Sequence, residues 1–317
     1  MQEKPLMVHM PQDIRAFSFS GHETFVLRSN WLKKAYDLLH GTPDLFSLED
    51  AFVRLGVGKN MAASIRYWGR VCHIFERSPD GDGHTATWLG HALLNDHDGW
   101  DPFLVTPSSR WLLHWQISSR PEAAYTWFYT FNQLRRGDFG VAQLIHQIQQ
   151  RVIATGSKPP SEATLKRDID CMLRCYIRPD IAQLGATAED ALHCPLYELN
   201  LLQRLPGQDS YRLVHGPQAD LVDPLVAYAA LQQARQLGRT SITLNELAYG
   251  ERSPGRIFRL DEESLLMRLY HMEAATHGHA AFSDAGGIRQ LIWRDPQHRE
   301  LEYMLLSEAF AQERHYA

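Results

Sequence analysis

Apolar residues recur at helical spacing along most of the chain, broken by short glycine-rich and proline-rich stretches. The sharpest unit spans about residues 46–94. Leu48-Glu-Asp-Ala-Phe-Val-Arg-Leu55 predicts a short helix, Gly56-Val-Gly58 a tight turn, and Asn60 to Phe75 a longer helix. Ser78-Pro-Asp-Gly-Asp-Gly83 is strong turn chemistry, and Thr85-Ala-Thr-Trp88 predicts the returning strand of a hairpin. Helix, turn, helix and hairpin is the order of a winged helix. On the longer helix Met61, Ile65, Trp68 and Cys72 fall at i, i+4, i+7 and i+11, one apolar face. Lys59, Arg66 and Arg70 lie about 150° away from that stripe. Such a helix presents one face to a core and the other to anions, the geometry a recognition helix needs in a DNA groove. A solvated charged face is the alternative.

Two further units follow the breaker Gly156-Ser157-Lys158-Pro159-Pro160. Ser161 is placed to cap a helix whose apolar face is Leu165, Ile169, Met172 and Tyr176. Arg167 and Arg174 lie opposite with Asp170 between them, a mixed face that reads DNA poorly. Ser241 to Tyr249, a helix starting at Asp261-Glu-Glu-Ser264, and a hairpin around Asp284-Ala-Gly-Gly287 again follow winged-helix order over 241–294. An acidic helix start repels phosphate, so this unit reads as a structural or protein-contact module. Between the first two units lies a Trp-rich block. Ser108 or Ser109 caps a helix through Trp111, Leu112 and Trp115; Pro121 opens a helix carrying Tyr125, Trp127, Phe128 and Phe131; Asp138 precedes a helix with Val141, Leu144, Ile145 and Ile148. Packing accounts for these aromatics, with base stacking the lesser alternative. The fold expected is mainly α, with winged-helix and helix-turn-helix modules and short β-hairpins. A flexible leader (1–16), an N-terminal domain (17–156) and a C-terminal helical domain (157–317) divide it.

Composition narrows the function class. At 317 residues the chain accommodates about two domains of roughly 150 residues. It is 44% hydrophobic and 22% charged, ordinary for a globular protein, and lacks the run of about 20 apolar residues of a membrane helix. The net charge of −5 disfavours wholesale coating of nucleic acid but leaves room for a local basic patch. The four cysteines, Cys72, Cys171, Cys175 and Cys194, have no CxxC spacing and read as buried thiols in a reducing cytoplasm. A zinc site from Cys171, Cys175, His193 and Cys194 is the minor alternative. Gly56-Val-Gly-Lys-Asn60 lacks the spacing of a phosphate loop, and no GxGxxG, HExxH or GxSxG is present.

Two short constellations could carry chemistry. Ser20-Gly-His-Glu-Thr24 sets His22 beside Glu23, a base and a metal ligand by type, followed by Lys33 and Lys34. Their alternative is hydrogen bonding to backbone or to Arg28. Asn95-Asp-His-Asp-Gly-Trp-Asp101 gathers Asp98 and Asp101 in one loop, oxygens suited to Mg²⁺ or Mn²⁺ in phosphodiester hydrolysis. An ordinary turn is the alternative.

Four blocks in order carry a resemblance. They are Phe19-Ser-Gly-His-Glu-Thr-Phe25 with Trp31-Leu-Lys-Lys34; Arg54-Leu-Gly-Val-Gly-Lys-Asn-Met61 with Ser64-Ile-Arg-Tyr-Trp68; Asp98-Gly-Trp-Asp-Pro102 with Trp111-Leu-Leu-His-Trp115; and Thr164-Leu-Lys-Arg-Asp168. Over about residues 17–180 the chain resembles a bacterial family long of unknown function, that of the SspB-type proteins associated with DNA phosphorothioation. The resemblance implies a cytoplasmic, DNA-binding component of a phage-defence pathway that nicks one strand so that sulfur can be incorporated. It implies as partners DNA, a cysteine desulfurase, an ATP-using sulfurtransferase and an ATPase; a homodimer stays open. Lys33, Lys34, Lys59, Arg66 and Arg70 are the expected DNA contacts. His22, Glu23, Asp98 and Asp101 are the expected catalytic groups, with Mg²⁺ or Mn²⁺ the expected cofactor. The alternative function is a non-enzymatic winged-helix scaffold or regulator that recruits the sulfur-transfer enzymes.

Overall fold

The computed structural model describes residues 17–79, 81, 83–134, 137–178, 194–207 and 209–314. The leader over 1–16, His193, and Asp80 and Asp82 of the expected turn lie outside the described residues. Helices dominate, joined by three small antiparallel sheets of two, three and three strands. Among the described residues no helix is long and apolar enough to cross a membrane.

The first unit begins with α1 (Ser29–Gly41), a 3₁₀ turn (Leu45–Ser47), α2 (Ala51–Arg54) and α3 (Lys59–Val71). Gly56 makes the α2–α3 turn at φ +62°, a backbone state that favours glycine. Strands β1 (Phe75–Arg77) and β2 (His84–Ala86) pair with Phe75 opposite Ala86, and α4 (Trp88–Leu94) follows. The expected order is present with shifted boundaries. α2 is four residues long, not eight, because Leu48 to Asp50 form the turn that enters it. α3 stops at Val71, short of Phe75, where His73 takes a left-handed conformation (φ +57°) and redirects the chain into β1. β2 ends at Ala86 because the Thr87 side chain accepts the Gly90 N–H (3.0 Å) and starts α4, so Trp88 is helical.

The Trp-rich block holds α5 (Pro107–Ser118) and α6 (Tyr125–Phe128), which continues into a π-helical turn over Tyr129–Gln133. The cap of α5 is Thr106, whose hydroxyl accepts the Ser109 N–H (3.2 Å); Pro107 takes the first position, so Ser108 and Ser109 sit inside the helix. Pro121 lies in the turn before α6, not in its first turn. Asp138 opens strand β3 (Asp138–Gly140), and α7 (Val141–Ala154) begins after it. β3 pairs with β5 (Ser210–Leu213), which pairs with β4 (Leu202–Arg204). Between them runs α8 (Glu162–Tyr176), capped by Ser161 accepting the Thr164 N–H (3.1 Å), with Leu165, Ile169, Met172 and Tyr176 all buried.

In the last third, helix Asp223–Leu237 leads to β6 (Ser241–Thr243), helix Leu244–Tyr249 and helix Glu262–Tyr270. The hairpin β7 (Ala280–Ala285) and β8 (Ile288–Trp293) turns on Gly286 and Gly287, both at positive φ, and gives a sheet ordered β6-β8-β7. The final helix, Leu301–Arg314, packs on helix Asp223–Leu237 and reaches α5, where Glu313 accepts the Ser108 N–H (2.6 Å). Buried apolar side chains form one continuous cluster from Val26 to Phe310, including Trp68, Trp111, Trp127 and Trp293.

Gly90 lets α4 lie directly on the backbone of the α3–β1 junction, where a Cβ would overlap the Ile74 carbonyl. Gly90→Ala is therefore expected to destabilise the protein by about 1–3 kcal/mol, the usual range for overpacking. A denaturant-unfolding midpoint equal to that of the wild type would refute this close approach.

Candidate nucleic-acid interface

α3 has two chemically opposite faces. Ile65, Trp68 and Cys72 are fully buried, and the Trp68 indole N–H donates to the Phe25 carbonyl (3.1 Å), which locks the rotation of the helix. Met61, on the same stripe, is only half-buried at its edge. Lys59, Arg66 and Arg70 are exposed on the other side. None of them, nor Arg77 on β1, forms an ion pair with another described residue. Lys59 instead stands over the Phe52 ring at 5.3 Å.

Two cations join this face that spacing on one helix could not reveal. Arg77 arrives on the hairpin. Arg120 arrives from the turn after α5 and donates to the Arg70 carbonyl (3.4 Å). Arg120 also meets Glu122 at 3.4 Å, a half-exposed pair worth little. Partial burial pulls the Arg70 guanidinium below its usual range, and the positive charges of Arg77, Arg66 and Arg120 pull the same way. Under the hairpin His84 is pushed down to about 4, first by burial and then by Arg70, Arg66 and Arg77. Both its ring nitrogens are buried without a hydrogen-bond partner, in a nest formed by the Phe46 and Phe75 rings. Two clefts flank α3. One of about 600 Å³ is lined by Phe46, Phe52, Lys59 and Arg66. The other, of about 310 Å³, is lined by Tyr67, Arg70, Arg77 and Arg120.

The remaining expected contacts stand elsewhere. Lys33 bonds Asp37 and pairs with Asp96 (2.8 Å), and Lys34 donates to the Leu55 carbonyl (3.1 Å), so both charges are engaged by the protein itself. They border a separate lining, a cleft of about 590 Å³ with Arg54 and Phe103. On α8, Arg174 pairs with Asp170 (3.1 Å) and donates to the Thr24 carbonyl (2.6 Å), so its charge is likewise engaged within the protein.

The four expected catalytic groups are not assembled into one constellation. His22 is fully buried, with Nε2 2.7 Å from Asp168 and Nδ1 accepting the Thr24 N–H (3.0 Å). With Nδ1 accepting, the proton sits on Nε2 and is donated to the carboxylate. Asp168, itself buried, also accepts the Ser20 N–H (2.6 Å) and the Thr126 hydroxyl. Its signal in the sequence was a carboxylate among the inward positions of α8, beside Leu165 and Ile169. Glu23 is exposed, at φ +49°. Asp98 is exposed in its loop, whereas Asp101 is buried and accepts the Thr106 N–H (2.8 Å) and the Ser109 hydroxyl (2.6 Å), holding the start of α5. Among the described residues no three His, Cys, Asp or Glu side chains are grouped to hold a metal ion. The four cysteines are buried and unpaired by disulfides.

A protein family described as of unknown function (DUF4007) matches residues 19–310. An SspB crystal structure matches with a TM-score of 0.82 and 32% identity, over 94% of this chain and 89% of that one. A magnesium ion-bound SspB crystal structure matches with a TM-score of 0.79 and 31% identity, over 95% and 97%. No curated protein matches the chain.

Asp168→Ala would strand three buried donors and is expected to lower the unfolding free energy by about 3–5 kcal/mol in urea. A loss near 0.5 kcal/mol, typical of surface substitutions, would show that the hub is dispensable. His84 gives a pH signature. Its folded value of about 4 lies below the ordinary 6.5, so stability is full above 6.5 and is lost as pH falls towards 4. His114 and His215, also pushed down to about 4, mainly by burial, act in the same direction. His84→Phe, which removes two unpartnered nitrogens from an aromatic nest, should flatten that acid loss and raise the melting temperature at pH 5. An unchanged acid slope would contradict the neutral, buried assignment.

Proposed function

The chain belongs to the DUF4007 family and is a relative of SspB, and from that premise we propose that it is the DNA-binding component of a phosphorothioation system that nicks one strand. The observation that carries this reading is the cluster of exposed Arg66, Arg70 and Arg77 with the half-buried Arg120, in which partial burial and then the charges of Arg77, Arg66 and Arg120 pull the Arg70 guanidinium below its usual range. Like charges held together with only the weak Arg120–Glu122 pair to offset them among the described residues favour a polyanionic partner, because phosphates relieve the repulsion and release counterions. In this reading α1 to β2 act as a winged helix. α3 enters a groove with Arg66 and Arg70, and the hairpin brings Arg77 to the backbone. The sulfur-supplying desulfurase, the ATP-using sulfurtransferase and the ATPase would act on the DNA so bound, in the cytoplasm.

For the nicking step, the exposed carboxylates Asp98 and Glu23 are the groups still open to substrate. SspB has been crystallised with magnesium bound. Here the described side chains supply no three-ligand cage, so a Mg²⁺ ion would take most of its oxygens from water and phosphate. A non-enzymatic scaffold is the second reading, favoured by one specific observation: His22 and Asp101 both spend their polar atoms on the protein's own hydrogen bonds.

Duplex affinity should fall with salt at a log–log slope of about −4 to −5, as expected for roughly five neutralised phosphates. Replacing Arg66 and Arg70 together by alanine should reduce the slope by about 2. A slope near zero would overturn DNA binding. With binding established, a supercoiled-plasmid assay with and without Mg²⁺ or Mn²⁺ separates the two readings. Nicking that is lost in Asp98→Ala supports catalysis, and an intact plasmid under every metal selects the scaffold.

A further inference from the structure

Behind Arg120 lies a smaller polar cleft of about 280 Å³ between α5 and helix Asp223–Leu237. That volume is just below the range of small-molecule sites, which run from roughly 300 Å³ upwards. It fits a ligand of one flat ring system. Its wall is unusual in being made of carboxamides and guanidinium groups rather than aliphatic side chains, with Trp115 and Tyr228 beside them.

The polar groups there are not all satisfied. Gln116 is 6% exposed and donates its Nε2 to the Tyr228 hydroxyl (3.0 Å). Gln233 is 3% exposed and donates its Nε2 to the Glu246 carbonyl (3.0 Å), which leaves its buried Oε1 with no hydrogen-bond partner. Arg252 lies over the Phe128 ring at 5.6 Å, and its buried Nε also has no partner. Glu251 and Glu122 are close enough to act on Arg252 electrostatically, yet neither forms an ion pair with it. Arg235, by contrast, is consumed by Glu302 and by the carbonyls of Pro296 (2.6 Å) and His298 (2.9 Å). Buried acceptors and cations without partners are costly and uncommon in folded proteins. Here one of each belongs to a side chain that lines the same small space, so a shift of either side chain into it would present the atom to a bound molecule. What would satisfy both is a molecule with an N–H donor on a flat ring and an anionic group near it.

Arg120 lines this cleft and also the cleft beside Arg70 and Arg77. One side chain therefore joins the cationic face of α3 to the carboxamide pocket. We propose that the pocket receives a single unstacked nucleotide of the bound DNA strand, with Gln233 accepting a base N–H and Arg252 and Arg120 holding the adjoining phosphate. The aromatic rings of Trp115 and Tyr228 supply the apolar wall beside the base. This rests on the DNA-binding reading above and adds to it where an extruded base goes.

The test is photo-cross-linking with a single-stranded oligonucleotide carrying one 4-thiothymidine, whose ring keeps its N–H. Binding is followed in parallel by fluorescence anisotropy of the same strand. Wild-type protein should cross-link through peptides containing Trp115 or Tyr228. Gln236→Trp, which fills the mouth of the cleft from an exposed position, should lose those adducts while binding the strand with unchanged affinity. Gln233→Leu, which removes the acceptor, should weaken those adducts. Binding with adducts confined to α3 and the hairpin would overturn the pocket and leave DNA binding standing. Adducts that persist in Gln236→Trp would also overturn it. Absence of any anisotropy change would overturn DNA binding and the pocket with it. Labelling by free 4-thiothymidine monophosphate at concentrations where the strand gives none would assign the cleft to a free nucleotide and overturn the strand.

Discussion

A single buried carboxylate sets the geometry on which the rest is built. Asp168 projects from the inward face of α8 and collects the Ser20 backbone N–H, the His22 ring and the Thr126 hydroxyl. These donors come from two separate segments of the chain, the loop holding Ser20 and His22 and the helix holding Thr126. A carboxylate taken out of water is costly unless its oxygens are matched by donors, so the fold must bring all three together to keep it. In doing so it pins the segment from Ser18 to Phe25. The Phe25 carbonyl in turn receives the Trp68 indole N–H and the Cys171 thiol. The rotation of α3, and hence the direction of its cations, follows from that chain of contacts.

The cationic face is then a cost carried by the core. Arg66, Arg70, Arg77 and Arg120 repel one another, and His84 beneath them is kept neutral. Exposed charges a few ångströms apart interact by only about 1 kcal/mol in water. Each fully buried large side chain behind them contributes about 1.5–3 kcal/mol. Trp68, Ile65 and Phe75 are all completely buried, so packing outweighs repulsion. The field is retained and is available to phosphates. Placed at the surface and screened by salt, the same charges would steer association more than they would hold a complex.

Residue type alone did not show which side chains the fold would enclose. His22 and Asp101 have the side chains of a base and a metal ligand, and both are absorbed by local architecture: one pins a loop, the other starts α5. Lys33 and Lys34 are basic and clustered, yet Lys33 is compensated by Asp37 and Asp96, and Lys34 donates to a helix-terminal carbonyl. Among the buried polar atoms left without partners are Gln233 Oε1 and Arg252 Nε, in residues that belong to no recognisable motif.

Local pattern determined a good deal by itself. The helical class, the two faces of α3, the Ser161 cap, the hairpin on Gly286-Gly287 and the burial of Trp68, Trp111, Trp115 and Trp127 all follow from periodicity and turn chemistry, which act over a few residues. Element ends did not. A left-handed His73 stopped α3, and Thr106 and Thr87 took capping roles that neighbouring residues could have filled. Only the tertiary structure decided which charges remain open. Arg120 joins Arg70 across 50 positions of sequence, and Asp168 meets His22 across 146. Whether a side chain is a ligand-binding group or a structural one depends on who satisfies its hydrogen bonds, and those partners are chosen by packing at long range.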